Sequence, residues 1–282
     1  MTYGAQTPGG SGQEYCYRHP DRPTGVHCQR CGRPLCTHCQ ILAPVGVQCS
    51  ECVRAGGAAR RRPRRRLPAF LKRPGAPVVT YALIAACVLL WLLQLVIPGL
   101  TSYVTFFAPL THAQPWRILT AGFAHSTTNL LHLPLNMYTL WLFGMILEPM
   151  LGRARFLVVY VVTMLGGWAA VALLAPTGSV LGASGALFGL MAVLLLLVRH
   201  GGGQYTQLLV LLGVNLVFGF LGSGVSWQAH VGGLVFGLAA GELLVLLRRR
   251  VVWQWVALAG LGVVALALVW TLTDPVALFS RL

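Results

Sequence analysis

The sequence predicts an all-α membrane protein that crosses the bilayer several times, preceded by a small cysteine-rich domain. Of the 282 residues, 56% are hydrophobic and only 10% are charged, whereas soluble domains carry about 25% charged residues. The charges are also unevenly placed, because 13 of the 21 Lys and Arg residues precede residue 75. Seven of the eight cysteines lie between residues 16 and 52. These observations divide the chain into a polar N-terminal part and a large membrane domain.

The cysteine-rich part carries four pairs of metal-ligand residues, with two residues between the members of each pair. Four pairs supply eight nitrogen or sulfur ligands, the number that two tetrahedral zinc ions need. A disulfide framework is disfavoured because the arginine pattern predicts a reducing, cytoplasmic location, and a thioredoxin-type role would need a βαβ pattern that is not visible here. We therefore predict two structural zinc ions, with His27 and His38 as competing ligands. The predicted ligands are Cys16, His19, Cys28, Cys31, Cys36, Cys39, Cys49 and Cys52.

A run of cations, RRRPRRRLPAFLKRP, separates this part from the first apolar segment. Cations that flank an apolar run favour the cytoplasmic side of a membrane and bind anionic lipid headgroups. We predict a topology signal and a lipid tether here. Nucleic-acid binding is not expected, although the net charge is +15.

Seven apolar segments approach or reach the roughly 20 residues that a membrane-spanning helix needs. With the N-terminus inside, 19 of the 21 cations face the cytoplasm and two, Arg117 and Arg281, lie outside. The first external connection, 98–128, is long and aromatic without a periodic helix, which is more typical of a functional or interfacial loop than of a spacer. No signal peptide opens the chain, so insertion is expected to rely on these spans. They cover about 78–97, 129–147, 156–174, 182–198, 205–221, 227–247 and 251–272.

Four polar residues interrupt the spans, and each needs a reason because an unpaired polar group in hydrocarbon is costly. His132 and Asn136 share one face of the second span, Ser184 opens the fourth, and His230 lies in the sixth. Taken singly, each residue is more typical of a hydrogen bond between helices than of a functional site. Together they occupy the outer halves of three spans that run in the same direction. We therefore expect them to meet at one depth.

These side chains are the parts of an acyl-transfer site. Serine and histidine supply a nucleophile and a base, while asparagine and a second histidine supply donors for an oxyanion. The carboxylates of the spans, Glu148 and Glu242, lie near the cytoplasmic ends, and Glu242 follows His230 by about 18 Å of helix. We therefore predict a Ser184–His230 dyad whose imidazole packs against Phe188, one turn after the serine.

Glycines at four-residue intervals predict close packing of the fourth and sixth spans. Gly233 and Gly237 follow His230, and Gly185 follows Ser184. The same packing would bring the serine to the histidine.

Two other functions are open at this point. A catalytically inactive protein of the same architecture could bind membrane helices as an adaptor. The presence of both Ser184 and His230 argues against this function. A channel or transporter could be lined by the four polar residues. The sequence offers no intramembrane carboxylate near them and no visible inverted repeat.

The chain over 78–247 resembles the rhomboid family of intramembrane serine proteases. The resemblance is carried, in order, by PWRILTAGFAHS, HLPLNMYTLWLFGMILEPMLG, GASG and AHVGGLVFGLAAG. It implies a six-helix core with one added C-terminal helix, and a Ser184 nucleophile with His230 as general base. The oxyanion donors would be His132, Asn136 and the Ser184 amide.

The resemblance extends to neighbouring positions and to the reaction. Gly182 fits the first glycine of the family's Gly-x-Ser-Gly, and Phe188 stands where family members often have tyrosine. His125 lies near the family's upstream histidine, and we expect a structural role for it. The implied reaction is hydrolysis of a peptide bond in or near a transmembrane segment of another protein, with no metal or nucleotide. The implied location is the plasma membrane of a bacterium, with the N-terminus cytoplasmic and the C-terminus external.

The cysteine-rich segment resembles a B-box-type zinc finger, in which alternate pairs share an ion. This would place Cys16, His19, Cys36 and Cys39 on one zinc ion and the other four ligands on the second. A structural role, recruitment of a cytoplasmic partner and regulation of the protease are all open for this domain. The other expected partners are transmembrane substrates and the lipid bilayer. The predicted parts are a disordered N-terminus (1–14), the zinc domain (15–53), a basic linker (54–76), the six-helix core (77–248) and the added helix with its tail (249–282).

Overall fold

The computed structural model describes residues 13–43, 46–60, 77–221 and 224–280. These residues fall into two compact units, one ending in the region of the basic linker and one beginning there. Residues 1–12 of the predicted disordered segment 1–14, and residues 61–76 of the predicted linker, lie outside the described residues, so both stay predictions. Glu14, at the end of the first segment, is described, and its carbonyl oxygen accepts a hydrogen bond from the Thr24 N–H at 2.8 Å.

The N-terminal unit is built from two small hairpins and one helix. Strand β1 (Tyr15–Cys16) pairs antiparallel with β2 (His19–Pro23), and β3 (Ile41–Leu42) pairs antiparallel with β4 (Val47–Gln48). Helix α1 (Ser50–Arg60) follows and crosses residue 53, where we expected the domain to end. Among the described residues of this unit, the buried hydrophobic cluster consists of Cys28, Leu35 and Cys49. Such a small core needs a further source of folding energy.

The second unit is helical and confirms the predicted class of an all-α multi-pass membrane protein. The long helices are α2 (Val78–Val96), α5 (His132–Leu151), α6 (Arg153–Leu174), α7 (Ser184–His200), α8 (Thr206–Leu221), α9 (Trp227–Leu246) and α10 (Val251–Leu272). By length and composition alone, α2, α6, α9 and α10 can each cross a membrane, while α7 and α8 are shorter apolar helices.

The second span continues past its predicted end at residue 147, because α5 runs to Leu151. The apolar pattern stops at Glu148, yet this carboxylate is buried and accepts hydrogen bonds from the backbone N–H groups of Val79 and Thr80 at 2.9 and 2.8 Å. The Thr80 hydroxyl donates a third bond at 2.8 Å. A buried carboxylate that accepts hydrogen bonds from another helix, as Glu148 does from α2, therefore does not mark the end of the helix that carries it.

The connection between α2 and α5, predicted to be external, contains short regular elements that are too brief to give a periodic pattern. They are α3 (Leu100–Val104), β5 (Phe106–Phe107), a 3-10 turn (Ala108–Leu110) and α4 (Arg117–Thr120). Strand β5 pairs antiparallel with β6 (Ser179–Val180), which lies just before α7. The buried Arg117 guanidinium donates to the carbonyl groups of Ser102 and Thr105. A short helix, α11 (Pro275–Phe279), follows α10.

Helices α7 and α9 pack closely through the predicted glycines. A Cβ atom added at Gly233 would collide with the carbonyl oxygen of Gly185, and one added at Gly237 would collide with that of Gly189. Because the residue numbers of the contacting glycines increase together along α7 and α9, the two helices run in the same direction. Close approach of this kind needs small residues on both helices.

Candidate active site

Ser184 is the first residue of α7 and is held there by the segment before it. Gly182 has φ +121°, a backbone conformation that favours glycine. Its N–H donates to the carbonyl oxygen of Ala121 at 2.8 Å, and the β5–β6 pairing fixes residues 179–180 just upstream. The connection between α2 and α5 therefore sets where α7 begins. The serine N–H belongs to the first turn of α7, whose donors have no partner within the helix.

His230 lies in the first turn of α9, whose N-terminus is capped by the side chain of Ser226. Its Nε2 atom is 2.9 Å from Ser184 Oγ, which is a hydrogen-bond distance. The Phe188 ring stacks on the imidazole, with centroids 4.2 Å apart and planes 17° apart. Serine, histidine and the stacked aromatic ring thus meet as a group of three side chains from two helices.

The second imidazole nitrogen of His230 has no hydrogen-bond partner within the part of the chain that the structure describes. Its Nδ1 faces Gly219 of α8, where an added Cβ atom would lie 2.8 Å away. Glu242 pairs instead with His200, at 3.4 Å. Packing against Phe188 and Gly219, rather than an acidic side chain, holds the imidazole.

His132 and Asn136 lie on the first two turns of α5, and the His132 side chain reaches the turn before Ser184. A Cβ atom added at Gly182 would be 2.9 Å from His132 Cε1 and 3.0 Å from Nε2, so the imidazole edge lies beside the turn that precedes the serine. Asn136 Nδ2 donates to the His132 carbonyl oxygen at 2.8 Å. The Ser126 N–H donates to His132 Nδ1 at 3.1 Å. The His132 imidazole therefore lies beside the turn that leads into Ser184, and the buried Asn136 lies one turn further along α5.

His125 is fully buried between these elements. Its Nδ1 lies 3.0 Å from the Phe123 carbonyl oxygen, and its ring centroid lies 5.2 Å from that of His132. Burial lowers the pKa of His125 to about 4, with a smaller contribution from His132. The side chain is therefore neutral at pH 7 and adds no charge to the site.

Three neighbours of the site were not predicted. Gly219 faces His230, and the side chains of Trp91 and Gln94 in α2 bind the backbone of residues 125–126. Gln94 interrupts an apolar span, which is the same signal that identified the other polar residues. A hydrogen bond to the backbone of a distant segment leaves no pattern in the sequence, so the contact of Gln94 with the backbone of His125 could not be predicted.

The N-terminal unit brings the eight predicted metal ligands together as two separate groups of four. The groups are Cys16, His19, Cys36 and Cys39, and Cys28, Cys31, Cys49 and Cys52, with the ligand atoms of each group within 4.8 Å of one another. His19 Nδ1 lies 3.4 Å from the sulfurs of Cys36 and Cys39 and 3.8 Å from that of Cys16. These spacings fit the edges of a tetrahedron around zinc, about 3.5–3.8 Å for bonds of about 2.0–2.3 Å. His27 pairs with Glu14 instead, and His38 belongs to neither group.

The thiols of these groups are electrostatically suited to a cation. Burial and the neighbouring sulfurs of Cys16 and Cys36 raise the pKa of Cys39 to about 11. A hydrogen bond with Cys49 and burial raise the pKa of Cys52 to about 12. The three thiols of one group and the four of the other therefore do not all ionise on their own, and a divalent cation would remove that penalty.

Comparison with known proteins gives one family. A model of the Rhomboid domain matches residues 112–247. The chain is 31% identical over 193 residues to "Rhomboid protease GluP" of Bacillus subtilis, covering 64% of this chain and 38% of that protein. It is 32% identical over 140 residues to "RHOMBOID-like protein 6, mitochondrial" of Arabidopsis thaliana, covering 47% and 45% respectively. It is also 32% identical over 179 residues to "Putative rhomboid protease YdcA" of Bacillus subtilis, covering 60% of this chain and 86% of that protein.

Proposed function

Because the chain belongs to the rhomboid family, we propose that it is an intramembrane serine endopeptidase that uses a Ser184–His230 dyad. The observation that carries the proposal is the 2.9 Å separation of Ser184 Oγ and His230 Nε2. The same observation disfavours an inactive adaptor, since such a protein would not need a nucleophile aligned with a base. The expected substrates are transmembrane proteins, cut in or near a membrane-spanning segment.

The reaction begins when Ser184 Oγ attacks the carbonyl carbon of the substrate peptide bond. His230 Nε2 accepts the hydroxyl proton and then gives it to the departing amine, which leaves an acyl-enzyme. Water, deprotonated by the same nitrogen, releases the second product and restores the serine.

The negative charge on the substrate oxygen needs hydrogen-bond donors near the serine. In this proposal the backbone N–H of Ser184, His132 Nε2 and the second Nδ2 hydrogen of Asn136 would supply them. Removing one such donor costs about 10²–10³ in kcat in other serine proteases. Phe188 and Gly219 would keep the imidazole oriented, the task that an acidic residue performs in a catalytic triad.

Proteolysis of a single-span model substrate by the purified full chain in liposomes tests the dyad. We expect Ser184→Ala and His230→Ala to lower kcat by at least about a thousand-fold, and a fluorophosphonate to label Ser184 in the unaltered protein but to label neither of these two variants. Matched controls are Ser179→Ala and His200→Ala, two exposed residues outside the proposed site, which should cleave normally. Cleavage that persists in Ser184→Ala would refute the dyad.

For the N-terminal unit we propose two structural zinc ions, bound by the two groups of four ligands. Zinc would supply the folding energy that the small core lacks. The B-box likeness, the cytoplasmic location of this unit and its recruitment of a partner or regulation of the protease belong to the same proposal. The positive-inside distribution of the arginines supports the orientation.

A further inference from the structure

The first long helix holds the backbone next to His132 through two side chains. Gln94 Nε2 donates to the His125 carbonyl oxygen and Gln94 Oε1 accepts from the His125 N–H, both at 3.1 Å. Trp91 Nε1 donates to the Ser126 carbonyl oxygen at 3.0 Å. Gln94 is only 7% exposed, and its Nε2 also donates to Thr101 Oγ1 at 3.1 Å. Residues 125 and 126 are therefore fixed on both sides of the peptide bond that joins them.

The Ser126 N–H, which belongs to this fixed peptide, determines which nitrogen of His132 carries the proton. It donates to His132 Nδ1 at 3.1 Å, so this nitrogen must present a lone pair. A neutral imidazole then carries its proton on Nε2. The Nε2 side is the edge that lies beside Gly182, where the substrate oxygen would develop negative charge.

We propose that Gln94, assisted by Trp91, is a positioning residue that keeps His132 in the tautomer able to donate to the oxyanion. The inference rests on the proposed function, because it gives His132 a donor role. Without the Ser126 amide, a neutral His132 would divide between two tautomers, and the wrong one would point a lone pair at the negative oxygen. Gln94 itself touches neither substrate nor the reacting atoms.

The neighbouring imidazole does not compete for this role. The Nδ1 of His125 lies at hydrogen-bond distance from the Phe123 carbonyl oxygen, which can only accept, so the His125 proton lies on Nδ1. Burial keeps this side chain neutral at pH 7 through its lowered pKa. The Ser126 amide is therefore the donor that sets the His132 tautomer.

The test compares Gln94→Met with Gln254→Met in the full-length protein. Gln254 of α10 is a matched control, because it is also buried and also donates its amide hydrogens to backbone carbonyl groups. Nitrogen-15 NMR of the histidine side chains reports the tautomer, and His132→Gln identifies the His132 signals among those of the eight histidines. We expect protonated Nε2 in the unaltered protein and in Gln254→Met, and mixed tautomers in Gln94→Met. The kcat of Gln94→Met should fall about ten-fold or more with KM little changed, as for a weakened transition-state donor.

Two results would overturn the inference: a proton on Nδ1 of His132 in the unaltered protein, or an unchanged tautomer in Gln94→Met whatever its kcat. If Gln94→Met does not fold, Trp91→Phe, which removes one donor and keeps an aromatic ring, replaces it with the same expectation and the same overturning result. The NMR reading does not require cleavage. Failure of the dyad in the Ser184→Ala experiment therefore remains distinguishable from failure of this inference.

Discussion

Three histidines within one site differ in what their hydrogen-bond partners allow them to do. His230 Nε2 faces a hydroxyl, His132 Nδ1 accepts from a backbone amide, and His125 Nδ1 faces a backbone carbonyl. These partners place the proton of His125, and that of His230 in its role as a base, on Nδ1, whereas the proton of His132 lies on Nε2. An imidazole ring can therefore serve as a base, as a donor or as a structural element according to the backbone around it.

The acid sensitivity of the fold provides a prediction for His125. The pKa of this side chain is about 4 when folded and about 6.5 when unfolded, so the unfolded chain binds the proton more strongly. Stability is therefore complete above pH 6.5 and falls as the pH drops toward 4, by a contribution on the order of 3 kcal/mol. We expect His125→Gln to remove this contribution. Unfolding of both proteins between pH 7.5 and pH 4 checks it, and parallel pH curves would contradict it.

Residues that interrupt an apolar run could be predicted from the sequence, because a polar group in a membrane span needs a partner. Ser184, His132, Asn136 and His230 are identified in this way, and the structure places Ser184 against His230 and His132 beside Gly182. Their catalytic roles remain proposals. Gly219 could not be predicted, since a glycine in a membrane helix is ordinary and its contact with His230 depends on the tertiary arrangement.

At the scale of elements, the spacing of the two reactive side chains is a property of helix packing. Gly185 directly follows Ser184, and Gly233 lies one turn after His230, so the contact between these glycines lies immediately below the dyad. Gly185 itself would place a Cβ atom 3.0 Å from the Ala229 carbonyl oxygen. The distance between α7 and α9 therefore sets the distance between serine and histidine.

A single methyl group at this contact should separate the two helices. We expect Gly233→Ala to lower the free energy of unfolding by about 1–3 kcal/mol, since its Cβ atom would collide with the Gly185 carbonyl, and to slow fluorophosphonate labelling of Ser184. Gly260→Ala in α10 is the matched control, because nothing lies within 4 Å of the added atom. Thermal unfolding and labelling rates measure both effects. Equal behaviour of the two variants would show that the contact is not tight.

Most helices could be predicted from hydropathy alone, whereas the residues at which they end and the short elements between α2 and α5 could not. Glu148 interrupts the apolar pattern, so the predicted span ends at residue 147. Because α2 donates hydrogen bonds to this carboxylate, α5 continues to Leu151. The β5–β6 pair has two residues in each strand, which is too short for any periodicity. Local composition does not encode a partner that is distant in sequence.

At the scale of the whole molecule, the two units depend on different sources of stability. The second unit buries a large hydrophobic cluster, whereas the described cluster of the first unit has three buried residues, two of which, Cys28 and Cys49, are themselves candidate metal ligands. Metal removal should therefore affect one unit and spare the other. The sequence could predict this division because cysteines, cations and apolar runs occupy separate parts of the chain.

Chelation tests this division. The full chain should contain about two zinc ions, and their removal should make residues 13–60 sensitive to trypsin. All eight tryptophans lie after residue 90, so tryptophan fluorescence reports on the second unit, and its thermal transition should not change. Cys36→Ser should lose about one ion, whereas Cys87→Ser, which alters a cysteine outside both groups, should keep both. Protease resistance that survives complete metal removal would contradict the prediction.

The buried carboxylate of Glu148 has a consequence for how the protein is made. It accepts the N–H group of Val79, a residue that the ribosome adds 69 positions earlier. Until the second span has been translated, the amides at the N-terminal end of α2 have to find other partners, such as water. The contact between Glu148 and α2 can therefore form only after residue 148 has been made, so the order of translation sets the earliest point at which these two helices can be joined in this way.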